Sequence, residues 1–352
     1  MEIIPVENVY YLLCYAWDKL AEKDVVNIDP TKSTDLVNLF ARVLASGVDH
    51  LLKKGVDRGY LSHSEESMVL RGRIDFPKTL KRVLLQRAQA HCEFDELSYD
   101  VNHNRILKAT IRRLIRTDGL DSTIRERLAF QYHYFDEVAE AELSNRLLRS
   151  VQLYRNNRFY EFLLRICELL FTNLLPTQKA GVWKFRSFLQ EHQQMAHLFE
   201  QFIRNFYKKE LPHALKPEPC KVKRENIYWN VLCDPAAASL LPIMQTDVCI
   251  TTMANKILIE CKYTADPFEQ HHEGAQKLTS HHLFQISSYL DNLPDSPLNK
   301  SCRAILLYPQ GKQTVHADFR RSNGQTLSVR TIDLSQNWKD IHRSLLGLIR
   351  EE

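Results

Sequence analysis

The sequence predicts a mixed α/β chain of two domains, and three observations carry that expectation. Its 352 residues suffice for two cores of ordinary size. Apolar residues at helical spacing, such as Leu36, Leu39, Phe40, Val43 and Leu44, alternate with short β-branched runs such as ILIECKY at 257–263. The tract Pro176-Thr177-Gln178-Lys179-Ala180-Gly181 interrupts that pattern, which sets the expected division at 1–176 and 177–352.

Composition narrows the class without naming a function. Apolar residues at 44% and charged residues at 26% are those of a globular protein, and a net charge of +4 permits contact with nucleic acid without arguing for it. The eight cysteines are scattered with no CxxC pair, so reduced thiols and no iron-sulfur cluster are expected. The longest apolar stretch, Val9 to Trp17, is too short to span a bilayer, and the N-terminus lacks a signal-peptide pattern. A cytoplasmic location with no membrane contact is the expectation.

In chain order, the segment from Val9 to Trp17 reads as a packed helix. Thr34-Asp35 caps a second helix, which Gly55 ends. Met68 to Phe76 reads as strands interrupted at Arg71-Gly72, and the basic stretch from Lys78 to Arg87 as a solvated helix face or a contact for an acidic partner. Asp95 to Asn104 is turn-like, and a helix resumes at Arg105 to Leu114 with Arg112, Arg113 and Arg116 outward. Phe159 to Leu175 is a further helix. No catalytic constellation is evident in this half.

The second half opens with a helix over Met195 to Lys209, whose apolar Leu198, Phe199, Phe202, Ile203 and Phe206 place Glu200 toward the polar side. Strands follow at 227–232, at 247–252 and 257–263, then a helix around Gln285, a strand at 302–309, another within 325–334, and a closing helix at 338–350. The expected architecture here is a central mixed β-sheet flanked by helices.

The stretch TDVCITTMANKILIECKY at 246–263 reads as a hairpin. A two-residue Ala254-Asn255 turn would pair Met253 with Lys256, setting Asp247 opposite Lys262 and Cys249 opposite Glu260. Asp247, Glu260 and Lys262 then share one face, whereas a slip by one residue would turn Asp247 away. Two carboxylates held close favour protonation, a basic neighbour or a bound cation. A Mg²⁺ ion held by Asp247, Glu260 and the Cys261 carbonyl would fit, with Lys262 handling an attacking water. A plain cross-strand ion pair would use the same residues, but surface pairs seldom sit on a strand as apolar as ILIECKY. On the following helix Gln285 and Tyr289 lie one turn apart and could hold a phosphate.

The histidine pairs His271-His272 and His281-His282, with Glu269 and Glu273 nearby, invite a zinc hypothesis. Their spacing matches no defined site, and a solvated loop is the expectation. No G-x-x-x-x-G-K-[ST] occurs, so the chain shows no P-loop for a nucleotide.

The order D…ExK followed by QxxxY resembles the PD-(D/E)xK nucleases of the RecB-like branch. Both halves also resemble the McrC family, the nuclease subunits of McrBC modified-cytosine-dependent restriction systems. That resemblance rests on IPVENVYYLLCYAW at 4–17, GRIDF at 72–76 and FDELSYDVNHNRILK at 94–108. It continues through MAHLFEQFIRNFYKKEL at 195–211, LLPIMQTDV at 240–248, ILIECKY at 257–263 and LFQISSYL at 283–290. It implies a restriction-endonuclease-like core over 177–352, with Asp247 and Glu260 as metal ligands, Lys262, Gln285 and Tyr289 completing the catalytic set, and Glu200 as a further candidate ligand. It also implies that residues 1–176 dock with a hexameric AAA+ GTPase of the McrB type and stimulate it, and that the substrate is double-stranded DNA containing modified cytosine. The reading of the modified base generally belongs to that motor. Two alternatives stand beside this reading: a non-cleaving adaptor that only activates the GTPase, and a stand-alone RecB-like repair nuclease.

Overall fold

The computed structural model describes residues 4–20, 35–154, 158–178, 181–216, 218–264, 266–270 and 276–350. The chain divides into two units, Ala21–Ser187 and a discontinuous one made of Met1–Leu20 with Phe188–Glu352. Helix α1 (Val6–Ala16) belongs to the discontinuous unit.

The central unit begins with α2 (Leu36–Lys54). Asp35 caps it by accepting the Asn38 N–H, and Gly55 ends it with φ of 102°. A three-stranded antiparallel sheet follows in the order β1-β3-β2, built from β1 (Gly59–Ser67), β2 (Arg73–Ile74) and β3 (Ala90–Ser98), with α3 (Phe76–Lys81) against β3. Helices α4 (Asn102–Ile115), α5 (Ser122–His133) and α6 (Arg158–Asn173) then pack with α2 into the helical core of the unit.

Two local expectations change here. Residues 68–72 are loop and the long strand precedes them, because Leu61 to Ser67 pair with β3 in spite of their polarity. Residues 95–98 are strand, not turn. The basic residues Lys78, Lys81, Arg82 and Arg87 are exposed, as the solvated reading expects, and two of them pair locally, Lys78 with Asp75 and Glu93 and Arg82 with Glu66. On α4, Arg112 pairs with Glu140, while Arg113 stacks its guanidinium 3.9 Å from the centre of the Trp183 ring.

The discontinuous unit is built on a six-stranded mixed sheet. Helix α7 (His192–Ala214) leads into β4 (Lys221–Lys223), β5 (Val248–Thr251) and β6 (Lys256–Cys261). Helix α8 (Ser280–Asp291) is followed by β7 (Arg303–Pro309), β8 (His316–Arg320), β9 (Thr326–Ile332) and α9 (Trp338–Arg350). The spatial order is β8-β9-β7-β6-β5-β4, with β6, β7 and β9 parallel and the outer strands antiparallel. Helix α7 packs on β4, β5 and β6, and α8 packs on β7. Under α8 lies a core of Cys249, Leu258, Ile286, Tyr289, Leu290, Leu306, Tyr308 and Val329.

The expected strand at 227–232 is absent. Only Asn226–Ile227 pairs, with Met244–Gln245, and Tyr228, Val231 and Leu232 stand exposed. The sheet position belongs instead to β4, whose alternating lysines read as a poor strand but suit an edge.

The expected cut between 176 and 177 also differs from the observed partition, because α1 folds with the C-terminal sheet. Val9, Tyr10, Leu12, Leu13, Cys14 and Tyr15 are all buried, so this helix needs cover on several sides. Helix α7 supplies much of it. Tyr15 meets Phe202 and Phe206 at centroid distances of 5.8 and 5.3 Å, its hydroxyl donates to Glu210 at 2.8 Å, and Asn205 donates to the Tyr15 and Ala16 carbonyls. Tyr11 stacks on Trp338 of α9 at 4.6 Å, and Asn8 donates to the carbonyls of Leu334 and Gln336.

A fragment spanning 188–352 alone should therefore be poorly folded. Uncovering Phe202 and Phe206 costs roughly 1.5–3 kcal/mol for each ring. Supplying residues 1–20, fused or co-expressed, should restore a cooperative melt in circular dichroism. A fragment that melts at the same temperature with and without them would contradict this packing.

Candidate active site

The β5–β6 hairpin brings the acids together, in a register two residues from the expected one. Lys256 pairs with Thr251 and Ile259 with Val248, and Thr252 donates its N–H to the Asn255 carbonyl, so the turn residues are Met253 and Ala254. A shift of two preserves the side-chain faces. Continuing the ladder sets Asp247 across from Glu260, where Lys262 was expected.

Each acid is fixed by its neighbours. The Cys261 N–H donates to Asp247 Oδ2 at 2.8 Å, which ties the start of β5 to the end of β6. Glu260 is the last but one residue of β6, the residues before it in the strand are all buried, and its own side chain is 4% exposed. Lys262 Nζ donates to Glu260 Oε1 at 2.7 Å and to Gln285 Oε1 at 2.7 Å. Gln285 Nε2 in turn donates to the Tyr289 hydroxyl at 2.9 Å, and that hydroxyl to the Gln245 carbonyl at 3.1 Å. All five expected residues thus meet at the C-terminal end of β6.

Glu200 joins them from α7, contrary to its expected place on the polar side. Its carboxylate is 16% exposed and takes Arg204 at 2.7 Å and Arg224 at 3.0 Å. Arg224 also approaches Asp247 at 3.9 Å, and Arg204 reaches the Asp247 carbonyl at 3.4 Å. The helical count misplaced Glu200 because the end of the sheet, not its face, lies beside it. Arg204 and Arg224 escaped the sequence reading altogether; Arg204, one turn after Glu200 on the same helix, was the available signal.

Electrostatics follow from this crowding. Burial, then the charges of Glu260 and Glu200, push the Asp247 carboxyl up from 3.8 to about 7. Burial also raises Glu260, against the opposing pull of Lys262. Its Oε2 is buried and makes no hydrogen bond of good geometry, although the Tyr289 hydroxyl lies close enough to favour its charge. Three acids thus share the cluster with three cations, but Arg204 and Arg224 bear closely on Glu200 and Lys262 on Glu260, while Asp247 has only the Arg224 guanidinium at 3.9 Å.

The histidine pairs separate. His271, His272 and Glu273 lie outside the described residues. His281 and His282 sit in the first turn of α8, not in a loop, and His282 Nδ1 is 2.9 Å from the Tyr308 hydroxyl. Burial and the nearby Lys262 and His281 charges lower His282 to about 4, so it is neutral near pH 7. All eight cysteines are free thiols, and five of them are buried.

Known proteins resemble this chain in sequence and in fold. The family of McrBC 5-methylcytosine restriction system components matches over residues 7–309. The type IV methyl-directed restriction enzyme EcoKMcrBC of Escherichia coli (strain K12) is 29% identical over 351 residues, which are 99% of this chain and 98% of that protein. Among solved structures, a half-complex from a tetradecameric assembly of Thermococcus gammatolerans McrB AAA+ hexamers with bound McrC gives a TM-score of 0.59 at 18% identity. That match covers 98% of this chain and 76% of the other, and it extends the likeness in fold across both units. With the family matched over most of its length, this chain belongs to the McrBC 5-methylcytosine restriction system components.

Proposed function

We propose that this chain is the nuclease subunit of a GTP-driven restriction complex, cutting DNA phosphodiesters with Mg²⁺ at Asp247 and Glu260. The observation that carries this reading is the convergence of two buried carboxylates, both pushed up by burial, with Lys262, Gln285 and Tyr289 at one strand end. Oxygen donors of this hardness suit Mg²⁺, and the unbonded Glu260 Oε2 is a ready ligand atom. Asp247, Glu260 and the Cys261 carbonyl would hold the ion. When bound it would supply Lewis acidity toward a phosphate oxygen and a more acidic water.

The protein's own groups divide the remaining work. Lys262, tethered by Glu260 and Gln285, would orient the attacking water. Gln285 and Tyr289 present an amide and a hydroxyl to the phosphate. Glu200 is already neutralised by Arg204 and Arg224, so its part is to hold those arginines and shape the field at Asp247. The partners in this reading are an McrB-type AAA+ hexamer, as in the Thermococcus gammatolerans assembly, and double-stranded DNA carrying modified cytosine, as the methyl-directed name of the Escherichia coli relative suggests. The motor-docking part is assigned to the central unit. No described helix is long and apolar enough to cross a membrane.

Asp247→Ala and Lys262→Ala should each lower DNA cleavage roughly 10²–10³-fold or more. Stimulated GTP hydrolysis by the partner hexamer should stay within about twofold of the parent. The readout is linearised plasmid alongside released phosphate. Cuts that persist in both variants rule out the assignment, whereas a parent chain that raises GTP turnover and never nicks DNA would identify a non-cleaving adaptor. Cleavage without the motor would indicate a stand-alone nuclease.

Metal binding should carry a proton signature of definite sign. Asp247 titrates near 7 when folded, so an ion that needs its charged form must displace a proton below that pH. Mg²⁺ binding should release close to one proton at pH 6 and almost none above pH 8, with affinity falling about tenfold per pH unit below 7. The metal-free fold has the opposite slope. A raised carboxylate favours the folded state while protonated, so stability falls as pH rises from about 4 to about 7, and Mg²⁺ should offset that loss. Calorimetry in two buffers of different ionisation heat measures the proton count; no release at pH 6 would remove Asp247 as a ligand.

A further inference from the structure

Outside this site, the GRIDF sequence at 72–76 builds a second cluster in the central unit. Gly72 has φ of 59°, and a Cβ there would lie 2.3 Å from the Glu93 carbonyl oxygen, so glycine lets β2 approach β3 this closely. In that register Arg73 faces Glu93 and Ile74 faces Cys92, and the Asp75 N–H donates to the His91 carbonyl at 2.9 Å. His91 and Glu93, two apart on β3, share a face. A ring nitrogen of His91 and one carboxylate oxygen each from Asp75 and Glu93 lie within 4.8 Å of one another.

Lys78 occupies the acidic side of this cluster, with Nζ 2.8 Å from Asp75 Oδ2 and 3.1 Å from Glu93 Oε1. That accounts for the carboxylates but not for the imidazole. His91 is 6% exposed, and its Nε2 is 2.8 Å from Ser64 Oγ, while Nδ1 is buried without a hydrogen-bond partner. A ring whose Nε2–H donates to a hydroxyl keeps a bare lone pair on Nδ1. One nitrogen oriented by a hydrogen bond and the other left open is the arrangement of a metal-ligating histidine.

We propose that Asp75, His91 and Glu93 form a binding site for a borderline divalent transition ion of the zinc class, with the Lys78 ammonium as its resident competitor. One nitrogen and two carboxylate oxygens supply three positions of a tetrahedron and leave the fourth to water. Asp75 can serve without giving up its helix cap, because Oδ1 accepts the Lys78 N–H at 3.0 Å while Oδ2 faces the ammonium. The Lys78 side chain is 47% exposed, so its head can move into solvent, and ion pairs this exposed hold it weakly. The ion would pin β2, β3 and the start of α3 to one point.

The test is calorimetric titration of Zn²⁺ into the full chain carrying Asp247→Asn, which weakens the competing carboxylate pair. One-to-one binding is expected, at least tenfold weaker in His91→Ala and Asp75→Asn and several-fold tighter in Lys78→Met. Equal affinity in the parent, His91→Ala and Asp75→Asn overturns the proposal, as does Lys78→Met binding no tighter than the parent. Because His91→Ala could disturb folding, Co²⁺ is added to the chain with His91 intact. Visible bands of a tetrahedral ion, bleached by one equivalent of Zn²⁺, are expected; their absence also overturns the site.

Discussion

Two carboxylates buried at the end of one strand pair are the constraint to which the rest of the discontinuous unit answers. Asp247 and Glu260 are brought across from each other by the β5–β6 ladder, in surroundings that disfavour their charge. A pair of this kind survives folding only if the structure supplies compensation, and here it comes from several elements at once. The Cys261 N–H holds Asp247, Lys262 holds Glu260, and two arginines screen Glu200. Remove the ladder and each of these contacts loses its reason for being where it is.

The same constraint gives α1 a purpose. Helix α7 must hold Glu200 and Arg204 at the end of the sheet while presenting Phe202 and Phe206 on another side, and those rings need cover. Residues from the far end of the chain provide it, through Tyr15 and the stack of Tyr11 on Trp338. The helix that positions part of the site is thus braced by a segment almost two hundred residues away in sequence. Proximity along the chain could not have revealed this, since VYYLLCYAW says only that a helix wants burial, not where it finds it.

What was legible in the sequence divides along physical lines. Local signals worked: Asp35 and Gly55 bound their helix, and the alternation in ILIECKY put Glu260 and Lys262 on the side of Gln285. The hairpin register did not follow, because neither Ala254-Asn255 nor Met253-Ala254 is a strong turn signal. The error was harmless to the site, since a slip of two keeps every side chain on its face. Glu200 was misjudged because amphipathic periodicity describes helix faces, not the end of a sheet packed beside one. The strand at 227–232 failed for a related reason: β-propensity rewards IYWNVL, while edge position in the sheet favours the lysine-rich β4.

The arrangement of the candidate site also bears on how a cutting subunit could stay quiet. Lys262 is engaged by both Glu260 and Gln285, and Gln285 by Tyr289, so the groups proposed to handle water and phosphate are bonded to one another. With Asp247 titrating near neutrality, a good share of molecules carry it uncharged, and the network needs no further cation to be at rest. Under the proposed reading, ion and substrate must together break these bonds, and each bond broken raises the threshold for cutting. A nuclease whose action is tied to a motor gains from such a threshold, because a passing duplex that cannot contribute enough binding energy leaves the network intact.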